Sequence, residues 1–247
     1  MRLTDRDFDL LRFLGAQGVA TADQLTARYF PSRTVCAKRL HVLRRGGLIE
    51  SVPLSALRGV SIASFRQATQ LLSLRREEAW RYRLYRLSAE LRARTIGAEA
   101  LSDIMMWKHQ IQLNGIRHLF ERLFPRAVIL IDPEIRAEWR RFGAGVDMPV
   151  PDLVIRSDGH EIAVEVERTR KAEAKYFSRF FQFESSDYSH VLYFCESDII
   201  FNKVVELSAR FQKIGVSRLL SPELIYRKGD GFKSIYQFLG IEGRKGA

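Results

Sequence analysis

The chain has 247 residues, 46% of them hydrophobic and 28% charged, a composition that excludes a fibrous or disordered protein. Its first residues carry charges where a signal peptide needs an apolar stretch, and no apolar run reaches the length of a membrane span. We therefore expect a cytoplasmic protein with no membrane insertion. The two cysteines, Cys36 and Cys195, lie far apart in apolar contexts and indicate neither a disulfide framework nor a zinc site.

The net charge of +11 is unevenly distributed along the chain. Residues 1–100 hold 18 basic and 9 acidic side chains, whereas residues 101–247 hold 22 and 20. Within residues 151–200 the sign reverses, with 6 basic against 10 acidic side chains. A concentrated basic part is typical of proteins that bind phosphate backbones, although a solvated surface gives the same charge.

The first hundred residues have the pattern of three short helices followed by a hairpin. The first helix is expected to begin at Thr4 and to be closed by Gly15 and Gly18. The second begins at Thr21, continues through Leu25 and Tyr29 and is broken at Pro31-Ser32. The third runs from Ser32 to Arg45, with Val35, Leu40 and Leu43 facing inward. Strand-like segments at 48–53 and 80–88 complete the order of a winged helix.

In a winged helix the third helix enters the major groove of DNA. The residues expected nearest base edges are Ser32, Arg33, Thr34 and Lys38. Those expected on phosphates are Arg39, Arg44 and Arg45. The alternative is a winged helix used for protein contacts or dimerisation. Residues 54–79 form a long insertion to which the sequence assigns no role.

From residue 98 the pattern becomes that of an α/β domain. The expected elements are a long helix ending near Phe124, strands at 128–132, 151–157 and 161–167, a helix at 171–184, a strand at 190–195, a helix at 198–213 and a strand at 215–220. The overall prediction is an α/β (α+β) protein with a winged helix at 1–97 and, at 98–247, a central mixed sheet flanked by helices.

Strand parity brings two acidic residues together in the strand IAVEVE. Ile162, Val164 and Val166 share one face, whereas Ala163, Glu165 and Glu167 share the other. Buried like charges are costly unless a cation compensates them, and carboxylates suit Mg²⁺ or Mn²⁺. Asp152 can reach the same point. The alternative is an exposed sheet edge whose acids pair with Arg168, Arg170 or Lys171.

The order Pro151-Asp152, strand, turn, Glu165-x-Glu167 resembles the PD-(D/E)xK nuclease superfamily over residues 98–220. Glu167 stands where that motif usually has lysine, so the resemblance makes Lys171 or Lys175, one turn apart on the following helix, the candidate replacements. It implies a restriction-endonuclease-like domain in which Asp152 and Glu165 bind Mg²⁺ or Mn²⁺. The set of metal ligands would be completed by Glu167, by Glu134 or, as the next choice, by Glu138. If neither lysine reaches the metal site, the domain is expected to be a binding domain without catalytic activity.

Both halves together resemble the replication-relaxation family and its MobC-type relaxases of mobilizable plasmids. The segments that carry this resemblance are TDRDFDLLRFL, RLHVLRRGGLIE, YRLYRLS, the KHQ helix, PDLVI and AVEVERTRKAE. The resemblance implies metal-dependent nicking of one strand at an origin of transfer to start conjugative mobilization. It also implies duplex and single-stranded DNA, together with accessory mobilization and coupling proteins, as partners.

Other interpretations of the chain stay open. Tyr176 or Tyr188 could attack the phosphate covalently, but each is expected instead to pack on the sheet or to cap a helix. His109 is expected to be a core residue rather than a site residue. At the level of the whole protein, the alternatives are a non-catalytic DNA-binding regulator of plasmid replication or transcription, and a dimeric endonuclease that cuts both strands.

Overall fold

A computed structural model describes residues 2–53, 83–94, 104–142 and 149–241. The chain divides into two compact units, residues 1–118 and 119–247, and the division falls within one long helix. The predicted boundary after residue 97 and the insertion at 54–79 both lie outside the described residues.

The N-terminal unit combines helices with a small antiparallel sheet. Its described elements are α1 (Asp5–Gln17), β1 (Ala20–Thr21), α2 (Ala22–Tyr29), α3 (Arg33–Arg45), β2 (Ile49–Pro53), β3 (Arg83–Leu87), α4 (Ala89–Ala93) and the greater part of α5 (Ile104–Leu123). The sheet order is β1-β3-β2, and β3 pairs antiparallel with both neighbours. The helices and strands share one core that includes Leu10, Leu14, Leu25, Cys36, Leu40, Leu43 and Ile49.

Two expectations for these helices are wrong. Helix α1 continues through Gly15, and only Gly18 ends it, with a φ of 72° that favours glycine. Val35 does not face inward, because its side chain is 39% exposed. Cys36, one residue and about 100° further round the helix, is buried with Leu40 and Leu43 instead.

A buried ion pair joins α1 to α3. Asp7 is fully buried, and its Oδ1 accepts a hydrogen bond of 2.7 Å from Nε of Arg39. The backbone N–H and the hydroxyl of Thr4 both donate to Oδ2 of Asp7 at 2.7 Å. Burial alone would raise the pKa of Asp7, but the hydrogen bonds from Arg39 and Thr4 outweigh it and lower that pKa to about 2.

The C-terminal unit is built on a seven-stranded mixed sheet. Its described elements, after the end of α5, are β4 (Val128–Ile131), α6 (Asp132–Phe142), β5 (Leu153–Ser157), β6 (His160–Glu167), α7 (Glu173–Glu184), β7 (His190–Cys195), α8 (Asp198–Ser208), β8 (Ile214–Arg218), β9 (Leu224–Arg227), β10 (Gly231–Ser234) and α9 (Ile235–Leu239). The strand order is β10-β9-β8-β7-β6-β5-β4, with β6, β7 and β8 parallel and the outer pairs antiparallel. The predicted mixed α/β class is confirmed.

Helices pack on both faces of this sheet. Helices α7 and α8 cover one face, with a shared core that includes Ala163, Tyr176, Phe180, Phe183, Tyr193, Cys195, Phe201 and Val204. On the other face Phe120, near the end of α5, contacts Phe194, and Phe238 of α9 contacts His190. Within the described ranges, no helix is long and apolar enough to cross a membrane.

Several predicted bounds in this unit are wrong. Residues Asp132–Phe142 form a helix to which the sequence pattern assigned no structure, and α8 ends at Ser208 rather than at residue 213. Helix α7 begins at Glu173 rather than at Lys171. The hairpin of β9 and β10 and the short α9 were not anticipated.

Loss of the Asp7 partner should destabilise the protein. We expect Arg39→Ala to lower the free energy of unfolding by about 3 kcal/mol, because it leaves a buried carboxylate unpaired. The control is Arg12→Ala, since Arg12 pairs with Asp9 on the exposed surface of α1 and its removal should change stability by less than about 1 kcal/mol. Urea denaturation of both variants measures the difference, and equal values would contradict a structural role for Arg39.

Candidate functional site

Helix α3 presents a basic surface in the N-terminal unit. The side chains of Thr34, Lys38, Arg44 and Arg45 are exposed. Ser32 caps the helix, with its Oγ accepting from the N–H of Val35 at 3.3 Å. Nη1 of Arg44 donates to Oγ of Ser51 on β2 at 3.3 Å, which holds that guanidinium beside the first strand of the hairpin.

Two arginines of α3 are held by carboxylates of neighbouring helices. Arg33 pairs with Asp23 of α2 at 2.7 Å, and its side chain is still 56% exposed. Arg39 pairs with Asp7, and its side chain is only 20% exposed. Arg39 was expected on phosphates, but its position indicates that it holds α3 against α1.

In the C-terminal unit, three carboxylates lie on the side of the sheet that α7 covers. Glu165 and Glu167 alternate with Val164 and Val166 along β6, and both glutamates are buried. Val164 pairs with Leu153, so the register places Asp152, just before β5, opposite Glu165. Directly opposite side chains have Cβ atoms about 4.5–5.5 Å apart. The sequence therefore predicted correctly which face of β6 carries the acids.

Glu165 is held by an arginine from α7. Nη2 of Arg179 donates to Oε1 of Glu165 at 2.6 Å and to the backbone carbonyl of Val150 at 2.5 Å. Burial and the neighbouring charge of Asp152 raise the pKa of Glu165 to about 7, although Arg179 and Lys171 act in the opposite direction. Burial and the charge of Asp152 therefore outweigh the two cations near Glu165.

Asp152 is fixed by the backbone of the adjacent strand. Its Oδ2 accepts a hydrogen bond of 2.7 Å from the N–H of Val166. That bond ties the segment before β5 to β6 and keeps the Asp152 carboxylate beside Glu165. The charge of Asp152 also helps to raise the pKa of Glu167, for which burial is the largest cause.

Lys171 is the lysine that reaches the acids. Its Nζ lies 2.7 Å from Oε2 of Glu167. Lys171 precedes α7, whereas the exposed Lys175 lies in the first turn of that helix, so the prediction that both share one helical face is wrong. Within the described residues, no hydrogen bond or ion pair joins Lys175 to the three carboxylates.

The other predicted acids have separate structural roles. Oε2 of Glu134 accepts from the N–H of Ile131 at 3.0 Å and so caps the start of α6. Glu138 pairs with Arg156 at 2.8 Å. In the ranges that the structure covers, no group of three or more His, Cys, Asp or Glu side chains is arranged to hold a metal ion.

A tyrosine and an arginine near the acids were missed in the sequence. Tyr193 on β7 pairs in register with Glu165 and is 1% exposed, and its hydroxyl has no hydrogen-bond partner among the described residues. Arg179 flanks the buried α7 stripe of Tyr176, Phe180 and Phe183. The signal that could have identified Arg179 is a lone arginine beside a buried helical stripe, since such a cation needs an acidic or carbonyl partner.

The two tyrosines considered from the sequence are packed, and the histidine belongs to the N-terminal unit. Burial raises the pKa of Tyr176 to about 12 and also raises the pKa of Tyr188. Both side chains are buried, which fits the packing role and disfavours a phenolate nucleophile. His109 is a half-buried residue of α5 in the N-terminal unit.

The carboxylate chemistry fits a hard divalent cation. Mg²⁺ is commonly held by one or two carboxylates, with waters and substrate phosphates at the other positions. Asp152 and Glu165 provide such a pair, and a bound cation would offset both the burial and the Asp152 charge that raise the pKa of Glu165. The two residues suited to hold the ion are therefore Asp152 and Glu165.

Glu165 should make stability depend on pH in metal-free buffer. A carboxyl whose pKa is raised on folding favours the folded state at low pH, and this contribution is lost as pH rises from about 4.5 to 7. Glu165→Gln should therefore raise the melting temperature relative to wild type at pH 8. At pH 4.5 the same substitution should raise it by less. Thermal unfolding in EDTA measures this, with the exposed Glu223→Gln as control. An equal effect at both pH values would contradict the raised pKa.

Comparisons with known proteins add no identification. Searches of protein-family models, curated proteins and solved structures found no match to this chain. The basic surface of α3 and the acids beside α7 are therefore the basis of the functional assignment.

Proposed function

We propose that the protein is a metal-dependent DNA nicking enzyme of the relaxase kind, with an N-terminal winged helix and a PD-(D/E)xK-like nuclease domain. The observation that carries the proposal is the convergence of Asp152, Glu165 and the Glu167–Lys171 pair beside α7. Three helices, a small antiparallel sheet and an exposed basic α3 support the winged-helix assignment. The origin of transfer as target, and mobilization and coupling proteins as partners, come from the resemblance alone.

Each named residue has a task in strand cleavage. Asp152 and Glu165 would hold Mg²⁺ or Mn²⁺, which lowers the pKa of bound water and neutralises charge that develops on the phosphate. Arg179 orients Glu165 through its second hydrogen bond to Val150. Lys171, 46% exposed beside Glu167, can place its ammonium on the scissile phosphate.

One observation favours a second function, that of a non-catalytic DNA-binding regulator of plasmid replication or transcription. Glu165 and Glu167 each already have a cation from the same chain, Arg179 and Lys171 respectively. If these pairs are permanent, the acids stabilise the domain without binding a metal ion. Such a protein would bind DNA with strong salt dependence and would not cleave it, whichever metal is added.

Nicking of supercoiled plasmid separates the two functions. With Mg²⁺ or Mn²⁺ and a plasmid that carries an origin of transfer, we expect open circles from wild type. We expect at least about 100-fold slower nicking from Asp152→Asn and Glu165→Gln. Lys171→Met should lose activity, whereas its matched control Lys175→Met should keep it. Unchanged nicking by the Asp152 and Glu165 variants would refute the site, and linear product would indicate an endonuclease that cuts both strands.

The basic surface of α3 should govern the salt dependence of duplex binding. Arg44→Ala and Arg45→Ala should each weaken binding on all sequences and lower the slope of log K against log salt by about 1, because each removes the cation that neutralises one phosphate. The control is Arg12→Ala on α1. Fluorescence anisotropy between 50 and 200 mM KCl, roughly the range over which such cations change affinity strongly, measures the slopes. Slopes equal to wild type in both variants would contradict DNA binding by α3.

A further inference from the structure

Two valines of α3 face away from the core of their unit. Val35 and Val42 are each 39% exposed, whereas Cys36, Leu40 and Leu43 of the same helix are buried. Seven residues are two helical turns, so the two valines share one side of α3. β-Branched residues are not strong helix formers, so helix propensity gives no reason for valine at these exposed positions.

Basic side chains alternate with these valines. Lys38 follows Val35 by three residues, and Arg45 follows Val42 by three, so the four side chains form one stripe along the helix. Both cations are exposed. The stripe therefore presents isolated apolar groups between positive charges, which complements a surface with methyl groups set among phosphates. Val35 also lies in the first turn after the Ser32 cap, where a helix in the major groove contacts base edges.

We propose that Val35 and Val42 contact the 5-methyl groups of two thymines in the major groove and so determine sequence preference. This inference rests on the proposed binding of duplex DNA by α3. Thymine is the base that presents a methyl group in that groove, and small apolar side chains contact it there. Seven residues span about 10.5 Å of helix, and base pairs are spaced about 3.4 Å apart. The two thymines should therefore lie within about three base pairs of each other, since α3 can be inclined to the DNA axis.

Replacement of thymine by deoxyuridine tests the contact, because it removes only the methyl group. The full chain first selects its preferred duplexes from a library with a random core, and single thymines in the enriched duplex are then replaced one at a time. We expect two thymines, within about three base pairs of each other, whose replacement weakens binding about fourfold each, the effect of one buried methyl group. Fluorescence anisotropy gives the dissociation constants.

Alanine variants then assign each methyl group to one valine. In Val35→Ala, replacement of thymine by deoxyuridine at one of the two positions should no longer change the dissociation constant. In Val42→Ala, the same should hold at the other position. Alanine favours helix, so both variants should fold, which circular dichroism checks. The matched control is Val128→Ala, which truncates a 54% exposed valine on β4 and should leave both effects intact.

The outcomes separate this inference from the proposed function. Two results would overturn the methyl contact and leave DNA binding by α3 intact. The first is that the selected duplexes contain no enriched thymine. The second is that replacement of thymine by deoxyuridine does not weaken binding of the wild-type protein. A change from dimer to monomer in Val35→Ala, seen by sedimentation, would show that a second copy covers the stripe and would also overturn it. Absence of binding to any duplex would refute the proposed function itself.

Discussion

The carboxylate of Glu165 lies buried beside α7, and the chemistry of the C-terminal unit depends on how its charge is balanced. Burial is the largest cause that raises the pKa of Glu165, Asp152 adds an opposing anion, Arg179 supplies a cation, and the balance leaves that pKa at about 7. A carboxyl with such a pKa is partly protonated near neutral pH and, once ionised, needs a cation beside it, whether Arg179 or a bound metal ion. The same acids can therefore serve a nuclease, or serve only the stability of the fold.

The distribution of charge along the chain agrees with a division of tasks between the two units. Most of the net positive charge lies in residues 1–100, and the exposed cations of α3 account for part of it. Arg33 and Arg39 show that part of this charge is already paired with acids of the same unit. The remaining cations of α3, Lys38, Arg44 and Arg45, are those that we expect to face DNA. Net charge thus overstates the number of side chains open to DNA.

Periodicity predicted most of the elements, because alternation in a strand and a three-to-four spacing in a helix follow from backbone geometry. It placed Glu165 and Glu167 on the correct face of β6. It failed for Val35, where two adjacent apolar residues, Val35 and Cys36, compete for one core position. It also missed Arg179 and Tyr193, since their relation to Glu165 arises from packing between elements distant in sequence. The PD-(D/E)xK and winged-helix assignments, which combine motif and element order, stay predictions.

The most direct test of the metal site is a crystal of the full chain soaked in Mn²⁺ and measured at an anomalous wavelength. The proposed nuclease predicts a Mn²⁺ peak between the carboxylates of Asp152 and Glu165. Absence of that peak at saturating Mn²⁺, with Arg179 still bonded to Glu165, would contradict the metal site and favour a non-catalytic DNA-binding protein.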